Sequence, residues 1–179
     1  MTGKKVLLLF LLTNLVYAFM ILRTIPKVTA FSEGMRLLDM MPMGYDLDYI
    51  NTLFETLGEE GRNVYLYNQI PVDMLYPFLF AISYSLLIAY FLKKIDKYNS
   101  ALFHLCWLPI IAGIADYMEN FGIILMLNSY PKLISSLTIL TNIFTLVKSM
   151  TTTIFFITLI MIMMAVGIKY FKAIKASRL

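Results

Sequence analysis

The chain has 179 residues, of which 60% are hydrophobic and only 15% are charged. This composition is more apolar than that of a soluble domain, so we expect an integral membrane protein. The single cysteine and single histidine exclude an intramolecular disulfide, a CxxC site and a His-rich metal cluster, and we expect no metal ion and no cofactor. The net charge of +4 comes from basic residues beside apolar runs, which indicates anchoring at a membrane surface and not nucleic-acid binding.

Four apolar stretches reach or nearly reach the length of a membrane-spanning helix, about 20 residues. They cover about 6–22, 74–92, 101–127 and 133–168. Lys4 and Lys5, with "VYA" further on, are also typical of a cleavable secretory signal, but the small-residue cleavage pattern is poor, so we expect a retained anchor. The sequence therefore predicts an all-α membrane protein with four transmembrane helices, forming a single integral membrane domain over residues 1–179.

The basic residues predict the orientation of these helices. Three groups of them precede the first stretch, separate the second from the third and follow the fourth, which places these groups on one side: Lys4, Lys5, Lys93, Lys94, Lys97, Lys169, Lys172, Lys175 and Arg178. Because positive residues favour the cytoplasmic side of a membrane, both termini are predicted to be cytoplasmic.

The segment 24–73, between the first two stretches, is too long and too patterned for a plain connection. One helix is predicted over 32–42 with a serine as its N-cap, a second over 46–57, and a third over 59–71 that a proline ends. Asp73 is then expected to cap the second span. We expect the whole segment to form an extracytoplasmic, amphipathic helical cap over the outer membrane face.

Charged residues interrupt the third stretch in "ADYMEN", where Asp116, Glu119 and Asn120 share one helix face because their spacing is i, i+3, i+4. At about 1.5 Å per residue from Ala101, Asp116 lies about 22 Å along the helix, in the outer half of the membrane. Lys148 interrupts the fourth stretch, about 30 Å from its cytoplasmic end, and is predicted to be the partner of the carboxylates. Ionisable residues inside a membrane are candidates for a functional site.

An outward-facing polar pocket is predicted around these side chains. The third cap helix is expected to place Arg62, Tyr65 and Gln69 over the pocket, with Asp73 and Tyr76 nearby. His104 lies about 18 Å lower and is not expected to join it. The alternative is a network of salt bridges and hydrogen bonds that only fixes the packing of the helices. The sequence leaves both interpretations open, and it identifies no catalytic residue.

Polar side chains also mark one face of the fourth stretch as it approaches Lys148: Thr138, Thr141, Asn142 and Thr145. Such side chains most often pack one membrane helix against another. We therefore expect this face to contact a neighbouring span.

Two parts of the sequence resemble a pattern of small, uncharacterised four-span bacterial membrane proteins: "LGEEGRNVYLYNQIPVDMLYPFLFAISYSLLIAYFL" and "LPIIAGIADYMENFGIILML". The resemblance covers the second and third spans and the cap helix before them, and it implies a location in the bacterial inner (cell) membrane. It implies no activity. The plan of four spans with acidic residues facing a pocket is also similar to that of the sterol-isomerase and sigma-2-receptor group, a similarity of architecture that does not carry function.

Three functions follow from these observations. In the first, the pocket binds a small amphipathic or lipid-like molecule, or another membrane protein, with membrane lipids as the surrounding partners. In the second, a membrane-embedded enzyme uses Asp116 or Glu119 as acid and base on a lipid or isoprenoid. The third, a transporter or channel component, is least favoured because the lower part of the third span carries no polar track.

Overall fold

The structure is a computed structural model that describes residues 2–177, and every regular element in this range is helical. Four helices are long and apolar enough to cross a membrane, as the sequence predicts. Their bounds are Gly3–Thr29, Leu47–Lys94, Ala101–Ser129 and Ser135–Ala176. Arg178, one of the predicted cytoplasmic basic residues, lies outside the described residues.

Five labels describe the helices. They are α1 (Gly3–Thr29), α2 (Leu47–Val64), α3 (Ile70–Lys94), α4 (Trp107–Ser129) and α5 (Ser135–Ala176). A π-helical turn, Tyr65–Gln69, joins α2 to α3, a second one, Met20–Thr24, lies within α1, and the 3₁₀ helix Ala101–Cys106 leads into α4. α5 has 42 residues and is the longest uninterrupted helix.

The helix α4 lies at the centre of the bundle, because it packs against both α3 and α5 while α1 packs mainly against α3. Two glycines allow these close approaches. A Cβ atom at Gly113 would lie 2.9 Å from the backbone oxygen of Pro77, and one at Gly122 would overlap the side chain of Thr141. Small residues let membrane helices approach closely. The two outer helices, α1 and α5, are left on either side of a cleft.

The second predicted helix of the segment 24–73 is confirmed. It starts at Asp46, whose carboxylate accepts a hydrogen bond from the backbone N–H of Tyr49 at 2.8 Å. It ends at Gly58, where the backbone takes φ of 63° and breaks α2. Glycine adopts this left-handed region without the steric penalty of a Cβ atom, so this position tolerates the break.

The predicted end of the third helix at Pro71 is wrong, because the chain continues as a helix through Pro71 to Lys94. The π-helical turn Tyr65–Gln69 comes directly before Pro71, so an irregular turn of the helix accommodates the missing N–H of this proline. Asp73 is consequently a buried residue inside the helix, 4% exposed, and not its cap.

The helix predicted to begin at Ser32 does not form. Glu33 and Gly34 have positive φ angles of 49° and 86°, which turn the chain away from α1. The Ser32 hydroxyl donates a hydrogen bond to the backbone oxygen of Met35 at 2.8 Å and closes this turn. Ser32 therefore lies after the end of α1, whereas the sequence predicts it at the start of a helix. Only a short 3₁₀ helix, Leu38–Met40, forms further on.

An apolar core fixes this segment against α4. It is composed of buried side chains from the segment, from α2 and from α4: Val28, Leu37, Leu38, Ile50, Leu53, Phe54, Tyr65, Ile123 and Met126. Burial of this apolar surface holds the chain around Asp39 beside the bundle. Whether the segment covers an outer membrane face stays a prediction.

Candidate functional site

The centre of the site is Lys148 of α5, which forms ion pairs with two carboxylates of α4. Its Nζ atom lies 3.3 Å from Oδ1 of Asp116 and also pairs with Oε2 of Glu119. Because the two acids are one helical turn apart, both reach the same ammonium group. The predicted contact between the acidic residues and Lys148 is confirmed.

Hydroxyl groups complete the surroundings of Glu119, whose side chain is fully buried. The hydroxyl of Thr145 donates to Oε1 of Glu119 at 2.7 Å, and the hydroxyl of Tyr45 lies 3.3 Å from the same Thr145 oxygen. Burial raises the pKa of Tyr45 above its ordinary value, so the phenol stays protonated at neutral pH. The polar face of α5 therefore contacts α4, as expected from the sequence.

Asp39 belongs to the same network, although sequence reasoning missed it. Its carboxylate accepts a hydrogen bond from the Tyr65 hydroxyl at 2.5 Å and one from Nε2 of Gln69 at 3.4 Å. Gln69 is held in turn by the hydroxyl of Thr24, and Lys148 lies 3.5 Å from the backbone oxygen of Asp39. The signal in the sequence is a lone carboxylate within the apolar run "LLDMM".

Asp73 differs from the other acids of the site. It is buried, it lines the cavity described below, and among residues 2–177 its carboxylate has no hydrogen-bonding or ionic partner. Its backbone oxygen accepts a hydrogen bond from Nδ2 of Asn120 at 3.3 Å, which anchors α3 to α4. Buried polar side chains normally have a partner, so Asp73 is the exception among the acids of the site.

The structure does not bring Arg62 to the other predicted site residues. Its Nη1 atom donates to the backbone oxygen of Phe54 at 2.6 Å, and its guanidinium lies 4.5 Å from the ring centroid of Tyr130. The physical reason is the helix break at Gly58, which leaves carbonyl groups at the end of the preceding helix without intrahelical donors. His104 also lies apart, as predicted, with Nδ1 at 3.0 Å from the backbone oxygen of Ala101.

A cavity of about 660 Å³ extends from the charged network into the space between α1 and α5. Its volume falls within the range of small-molecule sites, about 300–1,000 Å³. One end carries charged side chains and the other carries aromatic rings; the lining includes Asp39, Asp73, Asp116, Lys148, Tyr76, Phe80, Tyr84 and Phe156. Tyr17 and Ile21 of α1 also line it and are exposed, so the cavity opens on the side of the bundle.

Acidic side chains outnumber basic ones in the site. Asp39, Asp73, Asp116 and Glu119 supply four acidic groups, and Lys148 supplies the single ammonium group. Within residues 2–177 no three histidine, cysteine or acidic side chains are arranged to hold a metal ion. The site combines hydrogen bonds and ion pairs with aromatic side chains.

No known protein family matches the chain, and comparisons with curated proteins and with solved structures return no match. The resemblance to small four-span bacterial membrane proteins is supported only at the level of architecture, through the four long apolar helices. On this basis the chain is a four-helix integral membrane protein.

Proposed function

We propose that this protein binds a lipid-like amphiphile inside the membrane. The observation that carries the proposal is the cavity between α1 and α5, which joins a charged end to an aromatic end. An amphiphile has the same division into a polar head and an apolar tail. Its tail would enter between the two helices directly from the lipid, and its head would lie against the carboxylates.

The proposed orientation puts the charged end towards the outer face and both termini in the cytoplasm. Supporting it, the opposite end of the bundle carries most of the lysines, including Lys93 and Lys94 in the last turn of α3, Lys97 in the loop that follows, and Lys169 in α5. Residues 24–73 would then lie over the outer membrane face as a cap. The ligand site would be near the outer boundary of the hydrocarbon, where buried charges cost less than at the centre.

The excess of carboxylates favours an amine as the head group of the ligand. Asp116 and Glu119 are already paired with Lys148, and Asp39 accepts hydrogen bonds from Tyr65 and Gln69. Asp73 alone has no partner among the described residues, and it faces the same cavity. An ammonium group placed there would pair with Asp73 as Lys148 pairs with Glu119.

Aromatic side chains supply the apolar wall for the tail. The rings of Phe80 and Phe155 pack edge to face at 5.4 Å, Phe80 also packs against Tyr84, and Tyr76 stacks on Tyr17 at 5.3 Å. These contacts keep the rings in fixed positions without a ligand. The pairing of Asp116 and Glu119 with Lys148 favours binding over the alternative in which those two acids perform acid–base catalysis.

The proposal is tested with dodecylamine and dodecanol, which share one tail and differ in the head group. Dodecylamine is expected to raise the melting temperature of the full-length protein in a mild detergent, and dodecanol is expected to have a smaller effect. In the variant Asp73→Asn, the affinity for dodecylamine should fall at least about tenfold, which corresponds to about 1.4 kcal/mol.

Asp48→Asn is the matched control, because it replaces the same side chain by the same amide at an exposed position in the first turn of α2. Native mass spectrometry of the purified protein supplies an independent measurement of retained amphiphiles. Equal stabilisation by both probes, or full retention of dodecylamine binding in Asp73→Asn, would refute the amine-binding proposal.

A further inference from the structure

A second cavity of about 680 Å³ lies at the opposite end of the bundle, outside the site described above. It is formed by the last turns of α3, the loop that follows, and the start of α4. The lining residues on which the inference rests are Tyr90, Lys93, Asp96, Tyr98 and Trp107.

The lining changes from apolar to charged along α3. Leu86 and Ala89 line the inner part, and Lys93 lies about 10 Å further along the helix from Leu86. Trp107 is 55% exposed and Tyr98 is 44% exposed beside this groove. Tryptophan and tyrosine concentrate at the level of lipid head groups, so the groove runs from the hydrocarbon to the interface.

The groove is lined by one lysine and one acidic residue, and these two are not paired with each other. Its only acidic lining residue, Asp96, forms an ion pair with Lys169 of α5, which neutralises the carboxylate from outside the groove. The ion pairs of the described chain involve Lys148 and Lys169, and none of them reaches Lys93. The neighbouring Lys94 places its ammonium group 5.4 Å from the ring centroid of Tyr90. Lys93 is therefore the cation of the groove that is available to an anion.

We infer that this groove binds a phospholipid with an anionic head group. The phosphate pairs with Lys93, the aromatic side chains lie beside the head group, and the acyl chains run along Leu86 and Ile110 towards the hydrocarbon. Lysines near the membrane surface attract anionic lipids in this way. This groove is separate from the cavity between α1 and α5, which we call the acidic cavity. The acidic cavity is proposed to bind a cation, whereas the groove is proposed to bind an anion.

The test compares phosphatidylglycerol with phosphatidylcholine of identical acyl chains, both added to the full-length protein and measured by native mass spectrometry. Phosphatidylglycerol is expected to be retained more strongly. Lys93→Gln is expected to weaken its binding about fivefold, in line with one surface lysine. Lys97→Gln is the matched control, because Lys97 is an exposed lysine in the loop that follows α3 and does not line the groove.

Three outcomes would overturn the inference. Equal losses in Lys93→Gln and Lys97→Gln would show diffuse attraction without a site. Equal retention of the two lipids by the unchanged protein would remove the preference for an anionic head group. Stabilisation by glycerol 1-phosphate to the same extent as by the lipid would identify a soluble phosphate as the ligand.

Discussion

The two ends of the bundle each contain a lysine of α5 paired with a carboxylate, but in opposite surroundings. In the pair of Lys148 with Glu119 the side chains are 18% and 0% exposed, whereas in the pair of Lys169 with Asp96 they are 49% and 83% exposed. Removing one member of a buried pair leaves a charge without solvent or partner, while exposed pairs contribute little. From this difference in burial we expect the pair of Lys148 with Glu119 to matter for packing and the pair of Lys169 with Asp96 to have little effect on it.

The difference extends to the two cavities. In the acidic cavity, two of the acidic lining residues are held by other side chains of the protein: Asp116 by Lys148 and Asp39 by Tyr65. The basic groove is bounded by exposed side chains such as Trp107 and Lys93, whose positions depend on the interface around them. We therefore expect the acidic cavity to discriminate between ligands more strictly than the groove does.

The largest expected effect tests the buried pair. Lys148→Met leaves Asp116 and Glu119 without their cation, and it should lower the free energy of unfolding by about 3–5 kcal/mol. Titration with a denaturing detergent measures this change. Lys169→Met is the matched control at the other end and is expected to unfold like the unchanged protein.

A compensating variant separates lost charge pairing from lost packing around Lys148. Adding Glu119→Gln to Lys148→Met removes one uncompensated carboxylate, so part of the lost stability should return. The contrast between the two ends would be broken if Lys148→Met and Lys169→Met changed the stability equally.

An intermediate effect is expected at the contact of α4 with α5. A Cβ atom at Gly122 would overlap the side chain of Thr141, whereas one at Gly167 would meet no atom within 4 Å. Gly122→Ala should therefore cost about 1–3 kcal/mol from overpacking. Gly167→Ala, the control, should raise helix stability slightly, by up to about 1 kcal/mol.

Melting temperatures of the two alanine variants in the same detergent measure the difference. The variant that combines Gly122→Ala with Thr141→Ala should recover most of the loss, because it removes the overlapping side chain. No recovery in this double variant would show that the loss at Gly122 has another cause.

The smallest effect concerns the exposed pair. The hydrogen bond and the charge of Lys169 lower the pKa of Asp96 below its ordinary value. The stabilisation from this pair is therefore present above the unfolded pKa and is lost as the pH falls through the lowered folded pKa. Lys169→Gln should raise the pKa of Asp96 towards its ordinary value, measured by NMR titration of the carboxyl carbon.

The stability of Lys169→Gln and of the unchanged protein should converge at acidic pH, where Asp96 is protonated in both. Lys172→Gln, a lysine one turn further along α5, is the control and should leave the pKa of Asp96 unchanged. An Asp96 pKa that does not respond to Lys169→Gln would contradict the ion pair.

Sequence periodicity was sufficient for the spans and for part of the site. A run of about 20 apolar residues identifies a membrane helix, and the spacing of Asp116 and Glu119 places both on one face. Counting the helical rise also places Lys148 at their level, which the ion pairs confirm. The spans and the shared helix face depend on local helix geometry, and the height of Lys148 depends on the helical rise along roughly parallel helices. All three can be calculated from the sequence.

The remaining features depend on contacts between distant parts of the chain. Asp39 meets Lys148 although 109 residues separate them, and no periodic pattern encodes that approach. The predicted position of Arg62 over the pocket is wrong, because the break at Gly58 leaves the backbone oxygen of Phe54 free to accept a hydrogen bond from Arg62. Pro71 does not end the helix, because the π-helical turn before it changes the pattern of backbone hydrogen bonds around the missing N–H group of the proline. In each case tertiary structure or an irregular backbone overrides the local signal.

The uninterrupted helix α5 has a consequence for the bilayer around the protein. Lys148 and Lys169 lie on this one rod, about 31 Å apart along its axis. This separation is close to the thickness of the hydrocarbon core, about 30 Å. Because a helix neither stretches nor shortens easily, α5 keeps the two charged pairs at this separation. A thinner bilayer would require α5 to tilt, and a thicker one would draw a charged pair into the hydrocarbon.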